Sequence, residues 1–435
     1  MSKVYLQTLG CRLNEAELEQ WSIGFRKAGI GLTTQVDDAD LVVLNTCAVT
    51  AEAVRKSRQL IQRLHRANPN ARLVVSGCHA ALSADEVAET LGVDLVIANL
   101  DKDRLVEIVV DKLALQVSPE TSTEPGSDTA ETSLFARGRQ RAFVKVQDGC
   151  RYQCTYCIVT TARGEERSRP VADIIEEINR LHAHDIHEVV ITGVQLGGYG
   201  RGMKSSLPDL IDAVLADTDI ERVRLGSVEP WVLDEDLPSR FANPRLMPHL
   251  HLPLQSGADS VLRRMARKTR VADFANRVEE LRTAWPGFNV TTDIIVGFPG
   301  ETDTEWAQTM DAVAGIGFGH VHVFNYSDRA GTKAASLPDK VPANIRKARS
   351  QQLHGLAAEL KADALAGQIG RFASVLCEGS REENADGSSR CFGYTPEFHR
   401  VGIDVSNDVV LENRIVNVRL QDVDRDAGTL IAALS

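Results

Sequence analysis

No apolar run in these 435 residues approaches the ~20 that a membrane-spanning helix needs. That excludes a helical membrane protein. The N-terminus, MSKVYLQTLG, enters a strand directly and lacks the apolar stretch of a secretory signal. Together these absences predict a cytoplasmic protein. Thiols stay reduced there, so clustered cysteines suggest metal or catalysis before disulfides. Net positive charge is lacking too. The formal charge is −11, so any nucleic-acid binding must come from local basic surface. Internal repeats are also absent. What remains is ordinary for a globular protein, with 43% hydrophobic and 25% charged residues and a length that suits two or three domains.

From residue 1 to 112, apolar runs (Val4–Leu6, Leu41–Leu44, Leu73–Val75, Leu95–Ile97) alternate with helical patterns such as Glu15–Ala28 and Ala51–His65. Fully apolar strands alternating with helices predict an α/β domain with a doubly wound parallel sheet. SADE at Ser83–Glu86 reads as a capping box. Residues 113–138, rich in Ser, Thr, Pro, Glu and Gly, predict a flexible linker. From 139 to 367, six strand candidates (FVKVQ, EVVITG, RVRLGSV, LHLPLQ, VTTDIIVG, HVHVFNY) separated by helical patterns predict a partial (β/α)6 barrel. Pro208 stands where one of those helices begins, and a polar helix is expected at Ala343–Ala366. From 368 to 435 the sequence turns β-rich (RFASVLCEG, RVGIDV, RIVNVRL, TLIAAL), which predicts a small β-barrel.

Six of the eight cysteines fall in two trios. Three apolar runs end on cysteine: VYLQTLGC on Cys11, LVVLNTC on Cys47 and ARLVVSGC on Cys78. Ligands collect beyond the carboxyl ends of parallel strands, so these thiols are expected at one edge, facing one object. Packing as small hydrophobes is the plainer alternative. The second trio, Cys150, Cys154 and Cys157, is spaced C-x3-C-x2-C just after the first barrel strand. Three thiolates can hold an iron–sulfur cluster and leave one iron open, as catalytic metal sites do, at the face where barrels keep their active sites. A zinc knuckle would want a fourth Cys or His nearby. Cys377 and Cys391 match no motif and read as ordinary thiols.

Other candidates sit at strand ends. Gly193 follows the second barrel strand, Glu229 closes the third, and Gln255 and Ser256 close the fourth, where polar groups tend to face a ligand. Asp293 lies inside an apolar strand and needs a partner or a cavity. Arg163, Arg167 and Arg169 follow the cluster loop; they could grip substrate phosphate or a cofactor carboxylate, or form a surface network with Glu165 and Glu166. The helix after Cys47 carries Arg55, Arg58 and Arg66 on one side, suited to an RNA backbone or simply solvated.

With TLGCRLNEAELE, NTCAVT, SGC, HLPLQSGAD, TTDIIVGFPGET and YSDRAGTKAA, nearly the whole chain resembles the radical S-adenosylmethionine (SAM) methylthiotransferases. The resemblance implies two [4Fe–4S] clusters. One, on Cys150, Cys154 and Cys157, cleaves SAM to a 5′-deoxyadenosyl radical. The other, on Cys11, Cys47 and Cys78, is where the inserted sulfur is assembled and methylated. It implies SAM contacts at Tyr156, Gly193, Gln195, Ser227, Glu229 and Gln255, with Gly297–Glu301 shaping the adenine end. It also implies a substrate-contacting TRAM-like C-terminal β-domain and reduced flavodoxin or ferredoxin as electron donor, and leaves the sulfur source open. Thr160 and Thr161 depart from the Pro-Tyr of many relatives, so local substrate contacts are expected to differ.

The substrate reading rests on the same resemblance. TLGCRLNEAELE is most similar to enzymes that methylthiolate N6-threonylcarbamoyladenosine 37 of tRNA. Enzymes of N6-isopentenyladenosine more often read YGCQMN, and those acting on an aspartate of a ribosomal protein LGCPKN. One feature favours the ribosomal protein: residues 368–435 hold 7 Arg, no Lys and 11 acids, whereas an RNA-gripping module should be basic. A two-cluster electron carrier, the reading from another class, would need neither open irons nor a barrel.

Overall fold

The structure, a computed structural model, describes residues 2–113, 115, 140–384 and 387–435. The expected linker lies almost wholly outside the described residues. The chain forms two compact units. The first is Met1–Arg137 with Gln147–Arg167 and Ser327–Ala335; the second is Gly138–Val146, Ser168–Tyr326 and Ser336–Ser435. Among the described residues no helix is long and apolar enough to cross a membrane.

The first unit is built on a parallel sheet of β1 (Lys3–Thr8), β2 (Gly31–Thr33), β3 (Leu41–Thr46), β4 (Arg72–Gly77) and β5 (Leu95–Ile97), in the order β2-β1-β3-β4-β5. All of β3 is buried, which is why its run Leu41–Leu44 is continuously apolar rather than alternating. Side-chain alternation along β3 still decides the layers: Leu41 and Val43 pack with Trp21, Phe25 and Leu105 on one face, and Val42 and Leu44 with Leu60, Ile61 and Leu64 on the other. This order has its topological switch point between β1 and β3, the crevice where such sheets bind ligands. The capping box expected at Ser83 does not form. Ser83 also ends the preceding helix Cys78–Leu82, its N–H donating to His79, and its side chain makes no cap bond to the helix Ala84–Ala88.

In the second unit the six expected barrel strands are present: β6 (Arg141–Asp148, which runs on into the first unit), β8 (Glu188–Gly193), β9 (Arg222–Leu225), β10 (His249–His251), β11 (Asn289–Val296) and β12 (His320–Asn325). A two-residue β7 (Arg167–Ser168) lies beside β6. Capping boxes start two of the helices, Ser206 with Asp209 and Thr302 with Glu305, and the polar helix spans Ala343–Ala366. A closed barrel follows, from β13 (Phe372–Glu383), β14 (Ser389–Tyr394), β15 (Arg400–Val405), β16 (Ile415–Asp424) and β17 (Thr429–Leu434), in the order β13-β14-β15-β17-β16. Cys377 and Cys391 are ordinary core thiols inside it, and burial pushes Cys377 up to about 12.

Arginines at the start of the barrel strands join it to this β-domain. Arg224 bonds Glu188 at 3.0 Å and the Pro396 carbonyl at 3.0 Å. Arg222 bonds the Ser374 carbonyl at 2.8 Å and the Tyr394 carbonyl at 3.1 Å. Arg141 pairs with Glu378 at 2.7 Å. Burial alone would raise the Glu188 carboxyl, but Arg224, Arg141 and Arg222 outweigh it and hold it at about 2.

Candidate active site

Cys11, Cys47 and Cys78 follow β1, β3 and β4, three neighbouring strands, at the switch-point end of the sheet. Cys47 and Cys78 are buried and Cys11 is exposed, so the group has one open side. The Gly77-Cys78 and Gly149-Cys150 dipeptides have a steric reason. Both glycines have positive φ, and a Cβ would run into the Thr46 backbone at Gly77 and the Glu165 carbonyl at Gly149. Burial pushes the Cys47 thiol up, and the charges of Cys11 and Cys78 add to that. The Arg163 guanidinium brings positive charge to Cys11.

Arg163 is the centre of a buried polar network. It bonds Glu17 at 2.8 Å, Asp148 at 3.0 Å and Asn14 at 2.8 Å. Glu17 also takes Lys102 at 2.5 Å and Asn45 at 2.8 Å. Arg163 is 2% exposed, which corrects both expectations for it: it neither reaches substrate nor joins a surface network. Instead Arg151 pairs with Glu166 at 2.8 Å, and Arg167 reaches Asp148 at 3.7 Å.

The loop with Cys150, Cys154 and Cys157 belongs to this same unit. Its cysteines are half-buried, and Tyr156 beside them is half-buried too. The short helix after it, Val159–Arg163, packs Ala162 against Cys78 and Ala48, and Asn99 donates to the Ala162 carbonyl. Segment Ser327–Ala335 closes the group. Ala334 N–H donates to the Thr155 carbonyl at 2.8 Å, Ser327 accepts from the Ala51 N–H, and Arg329 lies within electrostatic reach of Cys47. Sequence reasoning assigns Arg329 no role, although it stands in the motif YSDRAGTKAA.

The donor set fits clusters better than single ions. Among the described residues, the group gathered within 4.8 Å for one ion is His251, Asp293 and His322, not a cysteine trio. Thiolates around a four-iron cluster stand farther apart than those on one zinc, and cationic Arg163 and Arg329 offset their charge.

Comparison with known proteins agrees. The uncharacterized protein family UPF0004 matches residues 3–98, and the radical SAM superfamily matches 144–313. The radical SAM methyltransferase TsrM of Kitasatospora setae, solved with cobalamin and a [4Fe-4S] cluster, shares the fold at TM-score 0.57 and 16% identity, over 77% of each chain. The threonylcarbamoyladenosine tRNA methylthiotransferase MtaB of Thermotoga maritima is 38% identical over 381 residues, 87% of each chain. MtaB of Bacillus subtilis is 33% identical over 97% of this chain and 94% of its own. This chain belongs to the radical SAM methylthiotransferases. A relative with another substrate name, the tRNA-2-methylthio-N(6)-dimethylallyladenosine synthase of Bacillus subtilis, is 33% identical over 96% of this chain and 83% of its own.

In this methylthiotransferase the other expected SAM contacts lie in the second unit. Gly193 ends β8, Gln195 is buried just beyond it, and Ser227 is exposed and bridges to His251. Gln255 has a φ of 74°, uncommon outside glycine, and is held there by backbone bonds to Asp293 and Ile295. Glu229 is bound through both its oxygens by Arg267, at 2.8 and 2.6 Å. Glu301 likewise turns into the fold, onto Arg349 at 2.7 Å. Arg169 is engaged by Glu177 at 2.7 Å and the Lys145 carbonyl at 2.8 Å, which argues against a substrate role. Arg55 and Arg58 are exposed on the helix Ala51–Ala67, but each faces an acid, Glu52 at 3.9 Å and Glu86 at 2.6 Å.

Proposed function

We propose that this enzyme places a methylthio group at C2 of N6-threonylcarbamoyladenosine 37 in tRNA. The observation that carries the reading is the gathering of both cysteine trios in one unit, with Cys78 packed on the helix that leaves the second trio. In this reading Cys150, Cys154 and Cys157 hold the cluster that binds SAM, and Cys11, Cys47 and Cys78 hold the auxiliary one. When bound, the first supplies the electron that cleaves SAM and the second carries the sulfur to be transferred. The chain's own residues position and compensate. Arg163 ties the helix after the second trio to Glu17 and Asn14, and Arg163 and Arg329 place positive charge beside Cys11 and Cys47. Arg55, Arg58 and Arg66 are the surface offered to tRNA phosphates, with the closed β-barrel as a TRAM-like module. The reductant is a flavodoxin or ferredoxin, and the location cytoplasmic.

The MtaB relatives and TLGCRLNEAELE support the threonylcarbamoyl substrate over the dimethylallyl one. The acidic β-domain is weaker support for a basic protein substrate than its composition suggests, because Glu378 answers Arg141 and Asp404 answers Arg390. Nucleoside mass spectrometry of tRNA from cells with and without the gene tests the reading. Loss of 2-methylthio-N6-threonylcarbamoyladenosine, with its precursor accumulating, is expected; an unchanged profile sends the search to ribosomal proteins. Cys154→Ala should abolish SAM cleavage. Cys47→Ala should keep SAM cleavage and lose the methylthio product, and product formation by that variant would remove the auxiliary cluster from the mechanism.

A further inference from the structure

Three neighbouring strands of the second unit send a histidine, an aspartate and a histidine to one face. In β11, Val290, Thr292, Ile294 and Val296 are fully buried, so strand alternation turns Thr291 and Asp293 to the barrel interior. Leu250 in β10 and Val321 in β12 are buried likewise, which puts His251 and His322 on the interior face. Register brings them level, since His251 pairs with Thr291 and Asp293 with His322. One ligand atom of each of the three lies within 4.8 Å of the others.

The orientation is that of a ligand set. His251 Nδ1 is 3.0 Å from Thr291 Oγ1, which holds the ring and leaves Nε2 aimed at Asp293 Oδ1, 3.3 Å away. Metal-binding histidines are commonly fixed by such a partner on the other ring nitrogen. The His322 ring meets the His251 ring edge-on, 5.6 Å between centroids. The site is open to small solutes: the His251 and Asp293 side chains are 14% and 24% exposed, and His322 is more so.

We infer that His251, Asp293 and His322 form a binding site for a divalent transition-metal ion, separate from both cysteine trios. Two imidazoles and a carboxylate suit zinc or ferrous iron; magnesium and calcium prefer all-oxygen sites. Bonds of about 2.0–2.2 Å around a tetrahedral ion put ligand atoms roughly 3.4 Å apart, so a small rotation of the exposed His322 closes the set. Three protein ligands leave a coordination position open toward the barrel interior.

The test uses the full chain with its clusters loaded, so that the trio cysteines are occupied. The protein is dialysed to equilibrium against Zn2+ and its zinc counted by mass spectrometry, with iron content and circular dichroism as checks on integrity. One zinc per chain is expected, falling at least tenfold in His322→Ala and in Asp293→Asn. A wild-type chain that retains no zinc overturns the site. So does equal retention by the variants, which would mark an adventitious surface ion. Should Asp293→Asn fold poorly, His322→Ala at its exposed position decides alone. Subsequent dialysis against Fe2+ tells the two ions apart: zinc that stays marks a zinc site and zinc displaced by iron a ferrous one, and either result supports the site.

Discussion

Arg163 shows how a single residue changes meaning between sequence and structure. In the sequence it is one of three arginines beside two glutamates, and its neighbours suggest a surface. In the structure its main carboxylate partner is Glu17, 146 positions away. Breaking a buried ion pair leaves an uncompensated charge, at a cost of about 3–5 kcal/mol. Arg163→Met should therefore lose stability on that order in urea unfolding. A loss within about 1 kcal/mol would mean that Glu17, Lys102 and Asp148 rearrange to satisfy one another. Arg329 makes the converse case, a cation within electrostatic reach of Cys47 that stands in the motif YSDRAGTKAA, about 280 positions further along the chain. Cluster potentials respond to nearby charge. Arg329→Gln should thus shift the auxiliary cluster to a more negative potential in a redox titration read by electron paramagnetic resonance. An unmoved midpoint would assign Arg329 to loop structure alone.

Among the elements, the six barrel strands are legible in the sequence as short apolar runs between helical patterns, and the helix Ala343–Ala366 as a long run of good helix formers between Pro342 and Gly367. β2 is not, because Gly31–Thr33 carries only one apolar side chain, Leu32, and shows no run. β14 escapes notice because Gly393 interrupts the run SRCFGY; the structure needs glycine there, where a Cβ would meet the Leu376 carbonyl of β13. Ser83 misleads because its backbone, at φ −138° and ψ 48°, lies outside the extended conformation from which a serine side chain caps a helix. Where a cap is real its loss is measurable: Thr302→Ala should cost about 1 kcal/mol, seen as a lower urea midpoint at unchanged slope. On the helix Ala51–Ala67, neutralising Arg55 and Arg66 together should weaken tRNA binding and flatten its salt dependence, by roughly 0.9 in slope per lost phosphate contact. An unchanged slope would return that face to simple solvation.

For the molecule as a whole, the joint between barrel and β-domain is a pH-sensitive feature. His399 is pushed down to about 4, by burial and then by Lys361, Arg371 and Arg224. It stays neutral when folded and takes up a proton more readily when unfolded, so its contribution is complete above about pH 6.5 and is lost as pH falls toward 4. Glu188, held at about 2, adds a second loss between about pH 4.5 and 2. The melting temperature should therefore fall through both windows, and His399→Phe should flatten the upper one; a variant with the same pH profile would acquit His399. The alternation of strands and helices, the six barrel strands, the position of both cysteine trios just past strand ends and the family can all be read along the chain, because periodicity, cysteine spacing and local motifs are properties of sequence neighbours. Folding alone settles that Arg163 is buried, that Glu229 and Arg169 are already engaged, that Arg329 comes within electrostatic reach of Cys47 and that His251, Asp293 and His322 converge. Each of those depends on contacts between residues brought together by the fold, and burial sets their strength by removing the water that would otherwise screen them.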